Sequence, residues 1–266
     1  MRASLMEKAP SLFALLVEAK ARFLPDHGEP ELRFVPALCH SRELALDVGA
    51  NHGTYACAMV RHASRTIAAE PNPELARVLR RRLDAAIRAG RATVLEAAIS
   101  DGEGSIPLFV PTGQPGLASV EGHAAGGGRT VTVARRPIDS LDLPRTGFIK
   151  IDVEGHELAV IEGARGLLAR DRPNLLIEAE DRHRPGALAA IRAILDPLGY
   201  RGFFLLDGRL EPIARFDQRI HQDRAALNEA GSHRLPGRTY INNFIFTARD
   251  DAIRALAAAA PGGLAG

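Results

Sequence analysis

The 266-residue sequence has few cysteines and no long apolar segment. Cys39 and Cys57 are its only cysteines and form no CxxC pair, which argues against a disulfide scaffold and is typical of a reducing compartment. No stretch reaches the roughly 20 apolar residues that span a bilayer. The apolar residues 11–17 form too short a run for a signal peptide. We therefore expect a cytoplasmic protein without a membrane span.

Strong charge of one sign is also absent. The formal net charge is +2, the calculated pI is about 8.7, and aromatic residues make up only 5% of the chain. A nucleic-acid-binding surface would require a basic stripe with interleaved aromatics, and the sequence contains none. We therefore expect no nucleic-acid partner.

Short apolar segments alternate with helical patterns along most of the chain, which predicts an α/β fold with a doubly wound, mostly parallel sheet. Residues 207–238 are polar and irregular, so we expect the last strand to be antiparallel. An additional helix is predicted at residues 11–23, ahead of the first strand. Seven strands are predicted for this sheet, at residues 44–48, 66–69, 92–97, 148–153, 174–179, 202–206 and 240–247, and two further strands near residues 105–110 and 130–135. Helices are predicted at residues 54–63, 74–89, 157–169 and 186–198.

The turn after the first strand, Asp-Val-Gly-Ala-Asn-His-Gly, predicts a binding site for an adenosine-containing ligand. Gly49 and Gly53 lack Cβ atoms and would let backbone N–H groups approach a ligand, while Asp47 can accept hydrogen bonds from the turn and from a ligand ammonium group. Glu70 ends the second strand, where a carboxylate can accept hydrogen bonds from ribose hydroxyls.

The spacing of the turn argues against a dinucleotide. A dinucleotide fingerprint needs G-x-G-x-x-G, but counted from Gly49 this chain has Asn51 and Thr54 where the second and third glycines belong. A nicotinamide-dependent oxidoreductase is therefore the weaker enzyme alternative. A non-catalytic protein that binds an adenosine ligand remains the alternative outside the enzymes.

The segment Lys-Ile-Asp-Val-Glu-Gly-His-Glu, residues 150–157, ends a central strand and faces the same crevice. Asp152 is the best-placed carboxylate there. Lys150 has two open interpretations, a structural salt bridge and a functional role. Glu157 is interpreted as a cap of the next helix.

In their order and spacing, DVGANHG, EPNP, AAISD and KIDVEGHE resemble the FkbM-like family of S-adenosylmethionine-dependent methyltransferases. The likeness covers residues 44–178, about half the chain, with a weaker likeness at residues 240–246. It implies a class I, Rossmann-like methyltransferase fold over residues 41–250, with a helical extension at 1–40, an inserted hairpin or lid near 105–135 and a C-terminal tail at 251–266. It also implies S-adenosylmethionine as cofactor and transfer of methyl to a hydroxyl of a sugar or natural product. The residues that would bind the donor are Asp47, Gly49, Asn51, Gly53, Glu70, Asn72, Ala98 and Ser100.

Several features of the reaction stay open at this point. A general base near the acceptor would come from Asp152, His156 or Glu178, with Glu154 as a further acidic candidate. A divalent ion held by these side chains and Glu180 is a minority hypothesis, because no HExxH-like spacing supports it, and we expect no metal. Residues 111–129 are interpreted either as a lid over the acceptor or as a plain hairpin connection. The sequence does not indicate the oligomeric state.

Overall fold

The structure is a computed structural model that describes residues 29–122, 127–228 and 234–265. The predicted helix at residues 11–23, and with it most of the 1–40 extension, lies outside the described residues. Strands lie at β1 (Leu44–Val48), β2 (Arg65–Ala69), β3 (Ala92–Leu95), β4 (Ala98–Ile99), β5 (Gly104–Pro111), β6 (Gly128–Arg136), β7 (Thr146–Ile151), β8 (Asn174–Glu178), β9 (Arg201–Leu206), β10 (Arg209–Pro212) and β11 (Asn243–Thr247). Helices lie at α1 (Val35–Leu38), α2 (Thr54–Met59), α3 (Pro73–Arg82), α4 (Asp84–Arg88), α5 (Glu157–Glu162), α6 (Arg165–Asp171), α7 (Ala187–Leu195), α8 (Gln218–His221) and α9 (Asp250–Ala259).

The main sheet has the strand order β10-β9-β11-β8-β7-β1-β2-β3. β3, β2, β1, β7 and β8 run parallel to one another, and β11 is antiparallel to both neighbours, β8 and β9. The antiparallel last strand is therefore confirmed. The prediction of seven strands was one short, because β10 folds back on β9 through a two-residue turn at Asp207 and Gly208, inside the segment interpreted as irregular.

Alternating side chains of the central strands fill cores on both faces of this sheet. On one face, Phe148 of β7 and Leu176 of β8 pack with Phe34, Leu38 and other residues near α1 and α9. On the other face, Ile149 packs with residues of α5, α6 and α7. Because both faces are covered, the strands are apolar almost throughout, as expected for a buried parallel sheet.

Local sequence explains why α3 begins and ends where it does. Asn72 caps the helix by accepting a hydrogen bond from the Glu74 N–H, and Pro73 occupies the first helical position. Three arginines occupy the last turn, where they complement the helix dipole. Capping therefore holds Asn72 in place, two residues after Glu70, at the carboxyl edge of the sheet.

A second, three-stranded sheet has the order β4-β6-β5. β5 and β6 form a long antiparallel hairpin. β4 pairs only with the end of β6, at Arg135 and Arg136. The predicted third strand, residues 92–97, ends at Leu95 in the main sheet, and the chain enters the second sheet at Ala98.

Two further sequence expectations are wrong in detail. The predicted helix at 157–169 is divided into α5 and α6, because the backbone at Gly163 passes so close to Ser100 that a Cβ there would lie 2.0 Å from the Ser100 carbonyl oxygen. The C-terminal residues expected to form a tail instead include α9. Leu256 of this helix is 1% exposed and packs in the core around Phe34. Burial of such a side chain contributes about 1.5–3 kcal/mol, which explains why an alanine-rich segment is helical here.

Within the described ranges, no helix is both long and apolar enough to cross a membrane.

Candidate active site

The candidate site lies at the carboxyl ends of β1 and β7. These strands are parallel neighbours, with Asp47 opposite Lys150, and the chain leaves them toward opposite edges of the sheet. Such a reversal of strand order opens a crevice in which α/β proteins bind ligands. Two adjoining cavities occupy this crevice.

The first cavity has about 620 Å³ of space that protein atoms do not fill, including space open to solvent. Its walls come from the turn after β1, the end of β2, the β3–β4 region, the hairpin and the turn after β7. The lining includes Gly49, Asn51, Glu70, Leu75, Ala98, Ile99, Leu108, Pro115, Gly116, Ala118, Val120, Asp152, Glu154 and His156.

The glycines of the first turn have a structural role that the sequence analysis did not identify. Gly49 has φ +76°, and a Cβ there would lie 1.7 Å from the carbonyl oxygen of Asp152. The N–H groups of Gly49 and Ala50 both donate to the carbonyl oxygen of Ala69, at 3.0 and 2.9 Å. Gly49 lines the first cavity, but its own N–H is engaged by Ala69, so its contact with a ligand stays a prediction. Gly49 also lets the turns after β1 and β7 touch.

Gly53 likewise permits packing. Its φ is +89°, and a Cβ would lie 2.5 Å from Cδ1 of Leu79 on α3. Gly53 directly precedes α2, and its left-handed conformation starts that helix. Asn51 is the residue of the turn that lines the first cavity with a polar side chain.

Backbone N–H groups from two chain segments hold the carboxylate of Glu70 in place. Its Oε2 accepts the Asn51 N–H at 2.7 Å and its Oε1 accepts the Asn72 N–H at 2.8 Å. Burial raises the pKa of Glu70 to about 7, although these two N–H groups act in the opposite direction. Each carboxylate oxygen retains a further lone pair, so the fixed group can accept hydrogen bonds from a pair of ligand hydroxyls.

Asp47 lies beneath the turn. Its side chain is 2% exposed, and its Oδ2 has no hydrogen-bond partner among the described residues. Burial raises the pKa of Asp47 to about 7, with the neighbouring charge of Lys150 acting in the opposite direction. Neither cavity has Asp47 among its described lining residues, so a direct ligand contact of this side chain stays a prediction.

Of the two predicted adenine-flanking residues, Ala98 lines the first cavity and Ser100 lies behind the wall. Ser100 is fully buried, and its Oγ lies 2.9 Å from Nε2 of His156. The other ring nitrogen of His156, Nδ1, lies 2.7 Å from Oε1 of Glu121. The structure thus brings Ser100 and His156 together, which their separation in sequence did not indicate.

The hairpin connection covers the first cavity. Asn51 Nδ2 donates to the Gly116 carbonyl and Asn72 Nδ2 to the Pro115 carbonyl, both at 3.3 Å. Ser119 Oγ donates to the Glu154 carbonyl at 2.8 Å. The interpretation of residues 111–129 as an acceptor lid is therefore incomplete, because the described part roofs the first cavity and only its Leu117 lines the second.

The second cavity is larger and more polar, with about 1490 Å³ of space that includes open solvent. Asp152 and Glu154 line both cavities, so they stand at the junction between them. The predicted residue Glu178 lines the second cavity only. Its other lining residues include Glu29, Glu31, Leu117, Lys150, Glu180, Arg182, Leu205, Leu227, Arg234, Tyr240, Asn242 and Asn243.

Lys150 and Asp152 form an ion pair at the floor of this cavity. Nζ lies 3.1 Å from Oδ2, outside hydrogen-bond angles, and 5.1 Å from the ring centre of Tyr55. Burial by itself would lower the pKa of Lys150, but the surrounding carboxylates, above all Asp152 and Glu178, raise it above its usual value. The ammonium group is thus kept charged by the acidic groups around it.

The acids of the second cavity differ in their surroundings. Burial, together with the charge of Asp152, raises the pKa of Glu154 to about 7 and that of Glu178 well above its usual range. Glu178 also accepts a hydrogen bond from Asn242 at 2.7 Å. Glu180 is different. Burial acts to raise its pKa, but His183 at 3.6 Å and the hydrogen bonds from Arg182 and the Tyr240 hydroxyl lower it to about 2.

Sequence reasoning missed Glu29, Arg182, Tyr240 and Asn242 as cavity residues. Glu29 lies more than 200 residues before Tyr240 and Asn242 in the chain, and no local motif connects these residues. The weak likeness of residues 240–246 to the family is the one signal that pointed in their direction. Among the described side chains, no three His, Cys, Asp or Glu residues are arranged to hold a metal ion.

The sheet order, the single antiparallel strand between β8 and β9, and a ligand crevice beyond β1 define a class I, Rossmann-like methyltransferase. The sequence profile of the Methyltransferase FkbM domain matches residues 47–202, and the chain belongs to this family. Its methyl donor is S-adenosylmethionine. The first cavity fits this cofactor, since it combines a carboxylate fixed for ribose hydroxyls with apolar walls for a base.

Two known proteins illustrate the relationship. The hexuronic acid methyltransferase AglP of Haloferax volcanii is 32% identical over 123 residues, which are 46% of this chain and 50% of that protein. The chain therefore matches about half the length of this relative. The solved structure of the methyltransferase FkbM from Methylobacillus flagellatus superposes with a TM-score of 0.50 at 21% identity, covering 78% of this chain and 44% of that one. This second likeness concerns the fold alone.

Proposed function

We propose that the chain transfers a methyl group to a hydroxyl oxygen of a sugar-like or other polyhydroxylated small molecule that binds in the second cavity. The observation that carries this proposal is the junction at Asp152 and Glu154, which line both cavities. An acceptor in the second cavity therefore meets the first cavity beside two carboxylates. The identity of AglP as a hexuronic acid methyltransferase supports a sugar acceptor.

The first cavity holds the methyl donor in this proposal, with Glu70 at the ribose and Asn51 and Asn72 closing the hairpin over it. When bound, S-adenosylmethionine supplies a methyl group already activated by its positive sulfur. The protein then has to align the acceptor oxygen with that methyl and exclude water. The roof formed by residues 115–120 excludes water from the first cavity.

Glu154 is our candidate for the group that accepts the hydroxyl proton. It faces both cavities, and its pKa of about 7 suits a base that works near neutral pH. Asp152 is engaged with Lys150 and serves as an orienting charge, while Glu178 is bonded to Asn242 and lines only the acceptor side. The earlier candidate His156 has both ring nitrogens engaged by protein groups and lines only the first cavity.

The test incubates the purified protein and S-adenosylmethionine with a panel of methyl hexosides, hexosaminides and hexuronides and detects products by mass spectrometry. Mild alkali then separates the two kinds of product, because it cleaves a methyl ester and leaves a methyl ether intact. We expect an alkali-stable ether. An alkali-labile ester, or methylation of nitrogen, would refute hydroxyl transfer without affecting the assignment of the donor.

A separate variant tests whether Glu154 is the general base. Glu154→Gln should lower kcat about 100-fold or more while leaving the affinity for the donor product S-adenosylhomocysteine within about twofold. Glu162→Gln is the matched control, because Glu162 is exposed and pairs only with Arg165 on the neighbouring helix. Full activity of Glu154→Gln would exclude it as the base.

A further inference from the structure

His156 is the polar side chain of the first cavity whose role the reaction leaves unassigned. It is 7% exposed, and it lies in the wall that also contains Ala98 and Ile99. Its ring is fixed from two sides, at 2.9 Å by Ser100 Oγ and at 2.7 Å by Glu121 Oε1. Such double anchoring holds the ring in one orientation, as a binding surface requires.

The lining of the first cavity is chemically mixed. Glu70 and Asn51 contribute polar groups, whereas Ala98, Leu108 and Val120 pack in one apolar cluster. His156 is bonded to Ser100, two residues after Ala98. A purine ring requires apolar walls and a few polar groups at its edge, so we expect the base of the donor to lie against this cluster, beside His156.

We propose that His156 contacts the adenine of S-adenosylmethionine and that Glu121 is a positioning residue that acts through His156. Glu121 is delivered by the hairpin, where its N–H donates to Ser119 Oγ at 3.0 Å and Ser119 in turn bonds the Glu154 carbonyl. The position of the hairpin over the first cavity therefore determines the orientation of the His156 ring. This inference depends on the cofactor and not on the nature of the acceptor.

The experiment measures binding of S-adenosylhomocysteine by calorimetry, so that no acceptor is needed. For His156→Ala we expect a Kd about tenfold weaker, a loss of about 1.4 kcal/mol. His183→Ala is the matched histidine control, because His183 lies on the acceptor side near Glu154 and Glu180. Its Kd should stay within about twofold of wild type.

Glu121 gives a second set of variants that does not depend on a buried substitution, since its side chain is 47% exposed. Glu121→Ala should weaken binding about threefold, whereas Glu121→Gln should remain near wild type because its amide oxygen can still accept from Nδ1. In the double variant His156→Ala with Glu121→Ala, the Glu121 change should have no additional effect, since its partner is gone.

The outcomes separate the inference from the assigned cofactor. Wild-type Kd values in His156→Ala and Glu121→Ala would overturn the inference, and so would fully additive effects in the double variant. Absence of S-adenosylhomocysteine binding to the wild-type protein would overturn both the inference and the cofactor assignment. Selective weakening at these two positions, with His183→Ala unchanged, would support the inference.

Discussion

Replacement of Gly49 by alanine should destabilise the fold before any ligand is considered. The added Cβ would lie 1.7 Å from a backbone carbonyl oxygen, that of Asp152, which cannot rotate away. Overpacking of this kind costs about 1–3 kcal/mol. The backbone at Gly49, with φ +76°, adds about 1–2 kcal/mol for a residue with a side chain. We therefore expect Gly49→Ala to lower the free energy of unfolding by about 4 kcal/mol.

Urea unfolding of the donor-free protein, followed by far-UV circular dichroism, measures this difference. Gly90→Ala is the matched control, because Gly90 has φ +70° and no heavy atom within 4 Å of the added Cβ. It should cost only the conformational part, about 1–2 kcal/mol. Equal effects of the two substitutions would refute the steric argument.

Three further predictions concern pH and the acceptor. The donor-free protein should melt at a lower temperature at pH 8 than at pH 5. The pKa values of Asp47 and Glu70 in the folded protein, about 7, exceed their ordinary values of 3.8 and 4.5. The stability that these two groups contribute is therefore complete below pH 4 and is lost as the pH rises through 7. Asp47→Asn should flatten this decline in a calorimetric scan, and an unchanged slope would contradict the burial argument. Leu117→Ala should raise the KM of an acceptor found in the screen about three- to tenfold, with the S-adenosylhomocysteine Kd unchanged, because Leu117 lines the second cavity and not the first. An effect on donor binding alone would contradict this prediction. At pH 8 and low salt, where Glu154 with its pKa of about 7 is ionised, a neutral hexoside should have a kcat/KM about tenfold above that of the matching hexuronide, because carboxylates outnumber cationic side chains six to three among the described residues that line the second cavity. The gap should narrow as salt is added, and a preference for the hexuronide would contradict this charge argument.

Local patterns in the sequence were enough to predict most elements of the sheet. Strands such as β1 and β8 are short apolar runs between turn residues, and Asn72-Pro73 marks a helix start wherever it occurs. Reasoning from local patterns alone also led to errors. Residues 157–169 have a continuous helical pattern, but the close approach of Gly163 to Ser100, 63 residues earlier in the chain, divides the helix.

The first cavity was largely predictable and the second was not. Glu70 and Asn51 lie in motifs whose spacing depends on one strand-turn-helix unit, so sequence order and spatial order coincide. The second cavity joins Glu29, Lys150, Arg182 and Tyr240, which approach one another only after the sheet has formed. No local sequence pattern indicates that these side chains lie close together, because each of them is compatible with an ordinary surface or salt-bridge position.

The sequence by itself determined the class of fold, the methyl donor and the carboxylates at the strand ends, because these depend on short motifs and on the period of apolar residues. Only the tertiary structure decided what those residues do. It assigned Gly49 to packing between two turns, since its missing Cβ leaves room for the Asp152 carbonyl. It put His156 in the wall of the first cavity, because Ser100 and Glu121 from distant segments hold its ring there. Close approach between segments far apart in the chain is a property of the folded molecule, and it gave these motif residues their roles.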